Sequence, residues 1–397
     1  MSIVRRSIVT ACALTGTTEL LSRHRGADRV VPKAWVHRFA GLGGIDETLL
    51  STQLHGIRSF REQPWTTYWN RIARSQRTAA ALSPTAELLL DQGAAARDIH
   101  TVDALVKSTV YGLISAWPGG SPARTAAYHD TRRQLERLST TLEPALGVEF
   151  EPFTVADDGE IVHGCLLLPK GSGPVPVVLI VNGVDATVQE SLLAFLGYPC
   201  RGMAVAALEM PGTWGSRTRL STASAQVFDT ALQQLAEHPR IDRNRMAMLG
   251  LSLGGYWTAA VATINRLLRC AVVSGAPTDR SFGPAGMLGV PAVVIETMRN
   301  ALGAKTVRDL GTRLSRFSLR GRYPLIAIPL LVVNGDADEV VSVRDSRDLA
   351  AGALRAQLRL YPGDGHCAAR EFADWTAMAE RWMWRNFTDD ADPTAAR

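Results

Sequence analysis

The chain has 397 residues, 46% of them hydrophobic and 20% charged, with a formal net charge of +5. That balance is globular rather than disordered, and the length allows a large core with an accessory domain. The basic residues are scattered and no dense run of them interleaves with aromatics, so nucleic acid is not an expected partner. The five cysteines (Cys12, Cys165, Cys200, Cys270 and Cys367) are odd in number and show no CxxC or Cys/His ligand spacing. A disulfide framework and a metal site are therefore not expected, and a reducing, cytoplasmic setting fits best.

In chain order, Arg5–Arg6 precede a short apolar stretch, Ser7 to Leu14, that polar residues interrupt and no small-residue cleavage site follows. It is not read as an export signal, and residues 1–44 are set aside as an N-terminal extension. No run of about 18 apolar residues occurs, so no membrane span is expected. Residues 45–145 read as a helical domain. Thr85–Asp91, Val102–Leu113 and Ala123–Leu138 carry apolar residues three and four apart, Ser83-Pro84 marks a helix start, and Trp117 to Pro122 breaks two helices.

The grammar changes near Gly147. Val148–Val155 and Ile161–Leu168 alternate like strands about the turn Asp157-Asp158-Gly159, which predicts a hairpin. Short apolar runs then alternate with helical stretches. The strand candidates are Val175–Val181, Ala204–Leu208, Met246–Leu249, Ala271–Val273, Leu330–Val333 and Leu358–Tyr361. The helix candidates are Ser191–Leu196, Ala225–Ala236, Gly255–Ile264, Val343–Ala353 and Ala369–Asn386. This alternation implies an α/β fold with a mainly parallel, doubly wound sheet over residues 146–388. Residues 389–397 read as a frayed polar tail.

Chemistry concentrates at Gly250-Leu251-Ser252-Leu253-Gly254, between a predicted strand and a predicted helix. A tight strand-to-helix turn exposes a serine hydroxyl at the carboxyl edge of a sheet, and small flanking residues relieve its crowding. A hydroxyl is a poor nucleophile unless a base and an orienting acid assist it. Downstream, Pro329–Val333 runs into Asn334-Gly335-Asp336-Ala337-Asp338-Glu339. Asp338 suits the acid by its spacing from the strand, Asp336 suits a turn residue, and Glu339 a solvated one. His366 follows the next strand and is the only histidine after Ser252, so it is the expected base. Cys367 beside it reads as a small buried residue.

An oxyanion needs two backbone donors. One is expected from Leu253. The other is expected from the loop Asn182-Gly183-Val184-Asp185-Ala186-Thr187, from Val184 or else from Gly183. Asp185 is either structural or a substrate contact. Trp214, in the loop that starts at Glu209-Met210-Pro211-Gly212, either lines the pocket or packs its loop. No metal and no cofactor are called for by this chemistry.

In combination these features resemble the FrsA-like α/β-hydrolases with an N-terminal helical cap, a group that includes 2,6-dihydroxypseudooxynicotine hydrolases and fungal polyketide-shortening hydrolases. Trp65 and Trp69 have the spacing of that family's cap, Asn182 to Thr187 is similar to its Gly-Gly-Leu-Asp-Ser-Thr segment, and Met210-Pro211-Gly212 is similar to its Gly-Pro-Gly turn. The chain departs from the pattern where Asn182 replaces a Gly and Glu209 stands for an Asp. The resemblance spans roughly Ile45 to Phe387. It implies a Ser/Asp/His triad under a helical cap, a small-molecule substrate bound between cap and core, and a homodimer. It also implies cleavage of an ester or of a carbon–carbon bond next to a ketone. Asp279 is the residue offered for an acidic group that assists such cleavage. The same triad would serve acyl transfer or cyclisation, and a non-catalytic binding protein on the same scaffold is the contrasting reading.

Overall fold

The computed structural model describes residues 31–57, 60–74, 81–157, 159–214, 216, 218–288 and 290–388. The Arg5–Arg6 stretch, Cys12, Asp158 of the predicted turn and the 389–397 tail lie outside the described residues.

Helices come first: α1 (Lys33–Gly43), α2 (Glu47–His55), α3 (Glu62–Arg74), α4 (Pro84–Asp91), α5 (Ala96–Ala116) and α6 (Pro122–Leu146). The predicted start at Ser83-Pro84 holds locally, and the predicted break ends in a second cap at Ser121. Ser83 Oγ accepts from the Ala86 N–H at 3.3 Å with Pro84 in the first turn, and Ser121 Oγ accepts from the Arg124 N–H at 3.4 Å ahead of Pro122. Helix α1 lies inside the stretch set aside as an extension. It has an apolar face of Trp35, Phe39 and Ala40, all buried. Trp65 and Trp69 are also buried, edge to face with ring centroids 5.6 Å apart, and belong to the helical core.

Eight strands follow, β1 (Val148–Asp157), β2 (Glu160–Pro169), β3 (Val175–Val181), β4 (Ala204–Leu208), β5 (Ile241–Leu251), β6 (Leu268–Ser274), β7 (Leu330–Gly335) and β8 (Ala356–Tyr361). They form one sheet in the order β1-β2-β4-β3-β5-β6-β7-β8. The β1–β2 and β2–β4 pairs are antiparallel and the other pairs parallel. The sheet is covered by α7 (Val188–Ala194), α8 (Ala225–Glu237), α9 (Leu253–Ala262), α10 (Ala292–Leu302), α11 (Val307–Leu314), α12 (Val343–Gly352) and α13 (Phe372–Thr388). This is the α/β-hydrolase architecture expected, with α10 and α11 added between β6 and β7.

Side chains alternate across the sheet plane. Val178 and Ile180 of β3 join the core that also holds Trp35, Trp65, Trp117 and Trp375, whereas Val177, Leu179 and Val181 join the core on the opposite face. Burial on both faces explains why β3 is an unbroken apolar run. The helical region and one face of the sheet thus share a continuous core, which holds the cap over the carboxyl edge of the strands.

Candidate active site

Ser252 is the residue between β5 and α9. Its backbone is in a positive-φ conformation (φ 54°, ψ −122°), and its N–H donates to the Ser274 carbonyl at 2.8 Å. A non-glycine residue at such angles is strained and is retained where surrounding structure forces it. The two flanking glycines supply that enclosure. A Cβ on Gly254 would lie 1.9 Å from the Val181 carbonyl oxygen, and one on Gly250 would lie 2.1 Å from the Gly254 oxygen. No larger residue fits either place. The first turn of α9 begins at Leu253, so the positive end of that helix is directed at Ser252.

Asp338 follows β7. Its Oδ1 accepts from the Val340 and Val341 N–H groups at 2.8 and 2.9 Å, and its Oδ2 accepts from Asn334 Nδ2 at 3.0 Å. The same Oδ2 pairs with Nδ1 of His366 at 2.9 Å, with both side chains buried. Burial works to raise the Asp338 pKa, but the His366 charge, its hydrogen bond and the backbone donors outweigh burial and hold it below the usual carboxylate value. At His366, burial opposes the charged ring, and Asp338, with the Cys367 sulfur adding to it, lifts the imidazole well above the ordinary histidine value. The pair therefore favours an imidazolium. His366 Nε2 has no hydrogen-bond partner. Asp336 is exposed and caps the Gly363 N–H at 2.7 Å, which is the turn role expected of it. Cys367 is buried, with Sγ 3.4 Å from the Ser274 carbonyl oxygen.

Ser252, His366, Gly183 and Asp185 line one cavity of about 800 Å³ between the helices and the sheet edge. Its other walls are mostly apolar, with Leu42 and Leu88 from the cap and Leu193, Phe195 and Phe372 from the core. Gly183 passes close over the serine, where an added Cβ would sit 3.3 Å from Ser252 Cβ. Of the three residues expected to offer amides to an oxyanion, Gly183 lines this cavity, Leu253 is the residue after Ser252 at the start of α9, and Val184 lines a second, smaller cavity.

The remaining predicted contacts separate. Asp185 reaches the cavity, but its Oδ2 is engaged by the cap, accepting from Trp35 Nε1, from Trp117 Nε1 at 2.6 Å and from Arg38 Nη1 at 3.4 Å. Trp214 lines a different, smaller cavity of about 230 Å³ with Val184 and Gly212; it stacks on Tyr128 and donates to the Ala186 carbonyl at 2.9 Å. Asp279 is not among the residues lining either cavity, and its carboxylate accepts from Ser318 Oγ at 2.6 Å. Its loop is folded over buried Asp345, which accepts from the N–H groups of Thr278, Arg280 and Ser281.

Several residues of the site were not anticipated. Trp35 and Arg38 come from α1, and Arg38 Nε lies 3.1 Å from Glu190 Oε2. Glu190 is buried in the cavity wall, and burial pushes its pKa up to about 7 against the pull of Arg38. Glu209, the residue that departs from the family's Asp, is buried under the Tyr128 hydroxyl and likewise pushed up to about 7. Trp35 and Phe39, four residues apart between Pro32 and Gly44, are the sequence signal that could have found α1. Among the described residues, no group of three or more His, Cys, Asp or Glu side chains could hold a metal ion, and no helix is long and apolar enough to cross a membrane.

Known proteins bear on this geometry. A family model described as esterase FrsA-like matches residues 135–363. Esterase FrsA of Photobacterium profundum is 22% identical over 337 residues, which cover 81% of this chain and 76% of that protein. Esterase FrsA of an Enterobacter species is 28% identical over 168 residues, 41% of each chain. Among solved structures, 2,6-dihydroxy-pseudo-oxynicotine hydrolase superposes with a TM-score of 0.71 at 17% identity, covering 89% of this chain and 96% of that one. AbyA5 superposes with a TM-score of 0.72 at 21% identity, covering 89% and 94%. At these identities the two structures speak for the shared fold.

Proposed function

This chain belongs to the FrsA-like esterase family, and from that premise we propose that it is a serine hydrolase acting through Ser252, His366 and Asp338. Its substrate is an ester, or a ketone with a cleavable adjacent carbon–carbon bond, in an aromatic or polyketide-like small molecule. The observation that carries the reading is one cavity lined both by Ser252, at its strained turn, and by His366, whose Nδ1 is paired with a buried carboxylate.

Ser252 Oγ attacks the substrate carbonyl carbon while His366 Nε2 takes the hydroxyl proton. Asp338 keeps the Nδ1–H tautomer and stabilises the imidazolium that forms. The N–H groups of Leu253 and of Val184 or Gly183 receive the negative oxygen. On collapse, His366 returns its proton to the leaving group, an alkoxide from an ester or an enolate carbon from a ketone. Water, activated by His366, then attacks the acyl-serine, frees the acid and restores the hydroxyl. The mostly apolar cavity of about 800 Å³ supports a bulky, weakly polar substrate over a small charged one.

Hydrolysis in oxygen-18 water tests the proposal. The protein is given a p-nitrophenyl ester series and an aryl 1,3-diketone, and the acid product is weighed by mass spectrometry. One labelled oxygen per acid, from either substrate, is the expected result. Turnover no faster than with Ser252→Ala for every substrate contradicts the proposal, and unlabelled acyl products point to transfer instead.

A further inference from the structure

The cap reaches the reacting groups through one buried carboxylate and one indole. Trp35 lies nearly parallel to the His366 imidazole, with ring centroids 6.1 Å apart and planes 13° apart. The same indole donates its Nε1–H to Asp185 Oδ2, the oxygen that Trp117 Nε1 and Arg38 Nη1 also approach. All these donors belong to the helical region, Trp35 and Arg38 to α1 and Trp117 to the residue after α5. Asp185 itself sits two residues past Gly183, whose backbone packs on Ser252; the Cβ position of Gly183 is 3.5 Å from Asp185 Oδ1. Trp35 therefore lies parallel to the base with its ring and holds Asp185 of the loop with its N–H.

Apart from its own backbone N–H, the donors to Asp185 come from the cap. Burial alone would drive its carboxyl neutral, but Arg38 and the two indole donors outweigh burial and keep it below the usual carboxylate value. Removing the cap donors leaves a buried charge beside the nucleophile with little to pair it, so the loop from Asn182 to Thr187 would have to move. The Ser252 elbow, in contrast, is fixed from within the sheet. The parts of the site that depend on cap docking are the loop amides and the orientation of His366.

We infer that Asp185 and Trp35 are positioning residues that set the oxyanion loop and the catalytic base only when helix α1 is docked on the sheet edge. The inference rests on the reading of Ser252 and His366 as nucleophile and base. It adds that the first helix of the cap is part of the catalytic assembly and more than a wall of the pocket.

Full-length variants separate the two arms of Trp35. Trp35→Phe keeps a ring over His366 and loses the donor to Asp185. Asp185→Asn keeps the ring and weakens the loop tie. Both are expected to lower kcat for p-nitrophenyl butyrate about 10- to 100-fold with KM within about threefold, the scale of a slightly misplaced catalytic group. Neither should move the acid limb of the pH–kcat/KM profile.

Trp35→Leu removes both arms and admits water over His366. Water screens both the burial that lowers the imidazole pKa and the larger pull of Asp338 that raises it, so the acid limb should slide toward the ordinary histidine value of about 6.5. A merely structural Trp35 would change melting temperature but neither the limb nor the kcat-to-KM split. Folding of each variant is followed by circular dichroism, and if Trp35→Leu fails to fold, Trp35→Phe and Asp185→Asn carry the test.

Fluorophosphonate inactivation rates distinguish the two levels of the argument. Wild type labelling at Ser252 while Asp185→Asn and Trp35→Phe label as fast and turn over as fast overturns this inference alone. A folded wild type that does not label at Ser252 overturns the reading beneath it.

Discussion

On the sheet side of the cavity, each group proposed to react follows a strand, and Asp338 and Ser252 are held largely by backbone. Asp338 is fixed by the amides of Val340 and Val341, and Ser252 by the turn between Gly250 and Gly254. On the cap side, the wall is assembled from side chains that meet across long stretches of chain, as Trp35 and Trp117 do at Asp185. The sheet side repeats a geometry that any member of the fold needs. The cap side is free to vary, because its apolar residues need only close the cavity and pack. The candidate reacting groups are thus marked by strand ends, and the cap wall is distributed along the chain.

The largest effect should come from breaking the sheet side at its centre. Ser252→Ala is expected to cut kcat about 10⁴- to 10⁶-fold in ester hydrolysis assays, with melting temperature little changed. Asp338→Asn comes next, at about 10³- to 10⁴-fold, because an amide no longer selects the Nδ1–H tautomer or stabilises the imidazolium. The sign of its pH effect follows from the causes at His366. Without the carboxylate, burial of the ring is opposed only by the neighbouring Cys367, so the acid limb of kcat/KM moves to lower pH. In wild type, kcat/KM rises with pH as the imidazolium loses its proton, and that limb should lie above the ordinary histidine value.

The cap side is broken differently. Leu88→Trp, from α4, intrudes on the cavity away from Ser252. It should lower kcat/KM for long-chain p-nitrophenyl esters about 10-fold or more while leaving the acetate within about threefold, a loss of the size that hydrophobic pockets give. Equal losses on long and short esters would mean that Leu88 supports the site and does not shape it.

A smaller effect concerns stability. The folded-state pKa of Glu209, about 7, is raised above that of an exposed glutamate because burial opposes its charge. The native state therefore binds the extra proton between about pH 4.5 and 7, and its contribution is complete below that window and lost as pH rises through 7. Melting temperature should fall by a few degrees from pH 6 to pH 8 in wild type, and fall less in Glu209→Gln. The smallest effect belongs to Asp336→Asn. Its exposed side chain caps only the Gly363 N–H, and activity should stay within about twofold of wild type.

The same contrast explains what could be read from the chain alone. β3 and β4 were legible to the residue because strands buried on both faces are short apolar runs bounded by turns. Ser252, Asp338 and His366 were legible as candidates because each follows such a run. Helices α10 and α11 were not: α10 opens on an apolar run, Ala292 to Ile295, too short to show a helical period, and α11 carries only three apolar residues among Arg, Asp and Thr. Helix α1 was passed over because its apolar face is only three or four residues wide. The partners of Asp185 were invisible for a different reason: Trp35 lies 150 residues away and Trp117 lies 68, and no local pattern announces such a meeting. Asp279 illustrates the reverse. Its place after β6 suggested chemistry, yet its loop is shaped by Asp345, a buried acceptor on α12 that only the folded chain brings near.

The central claim is that Ser252 is the nucleophile and His366 its base. Intact-protein and peptide mass spectrometry after treatment with a fluorophosphonate tests it most directly. One adduct per chain is expected, mapped to Ser252, absent in Ser252→Ala and slowed at least 100-fold in folded His366→Ala. Wild-type protein that turns over an ester while carrying no adduct at Ser252, or an adduct formed as fast without His366, would contradict it.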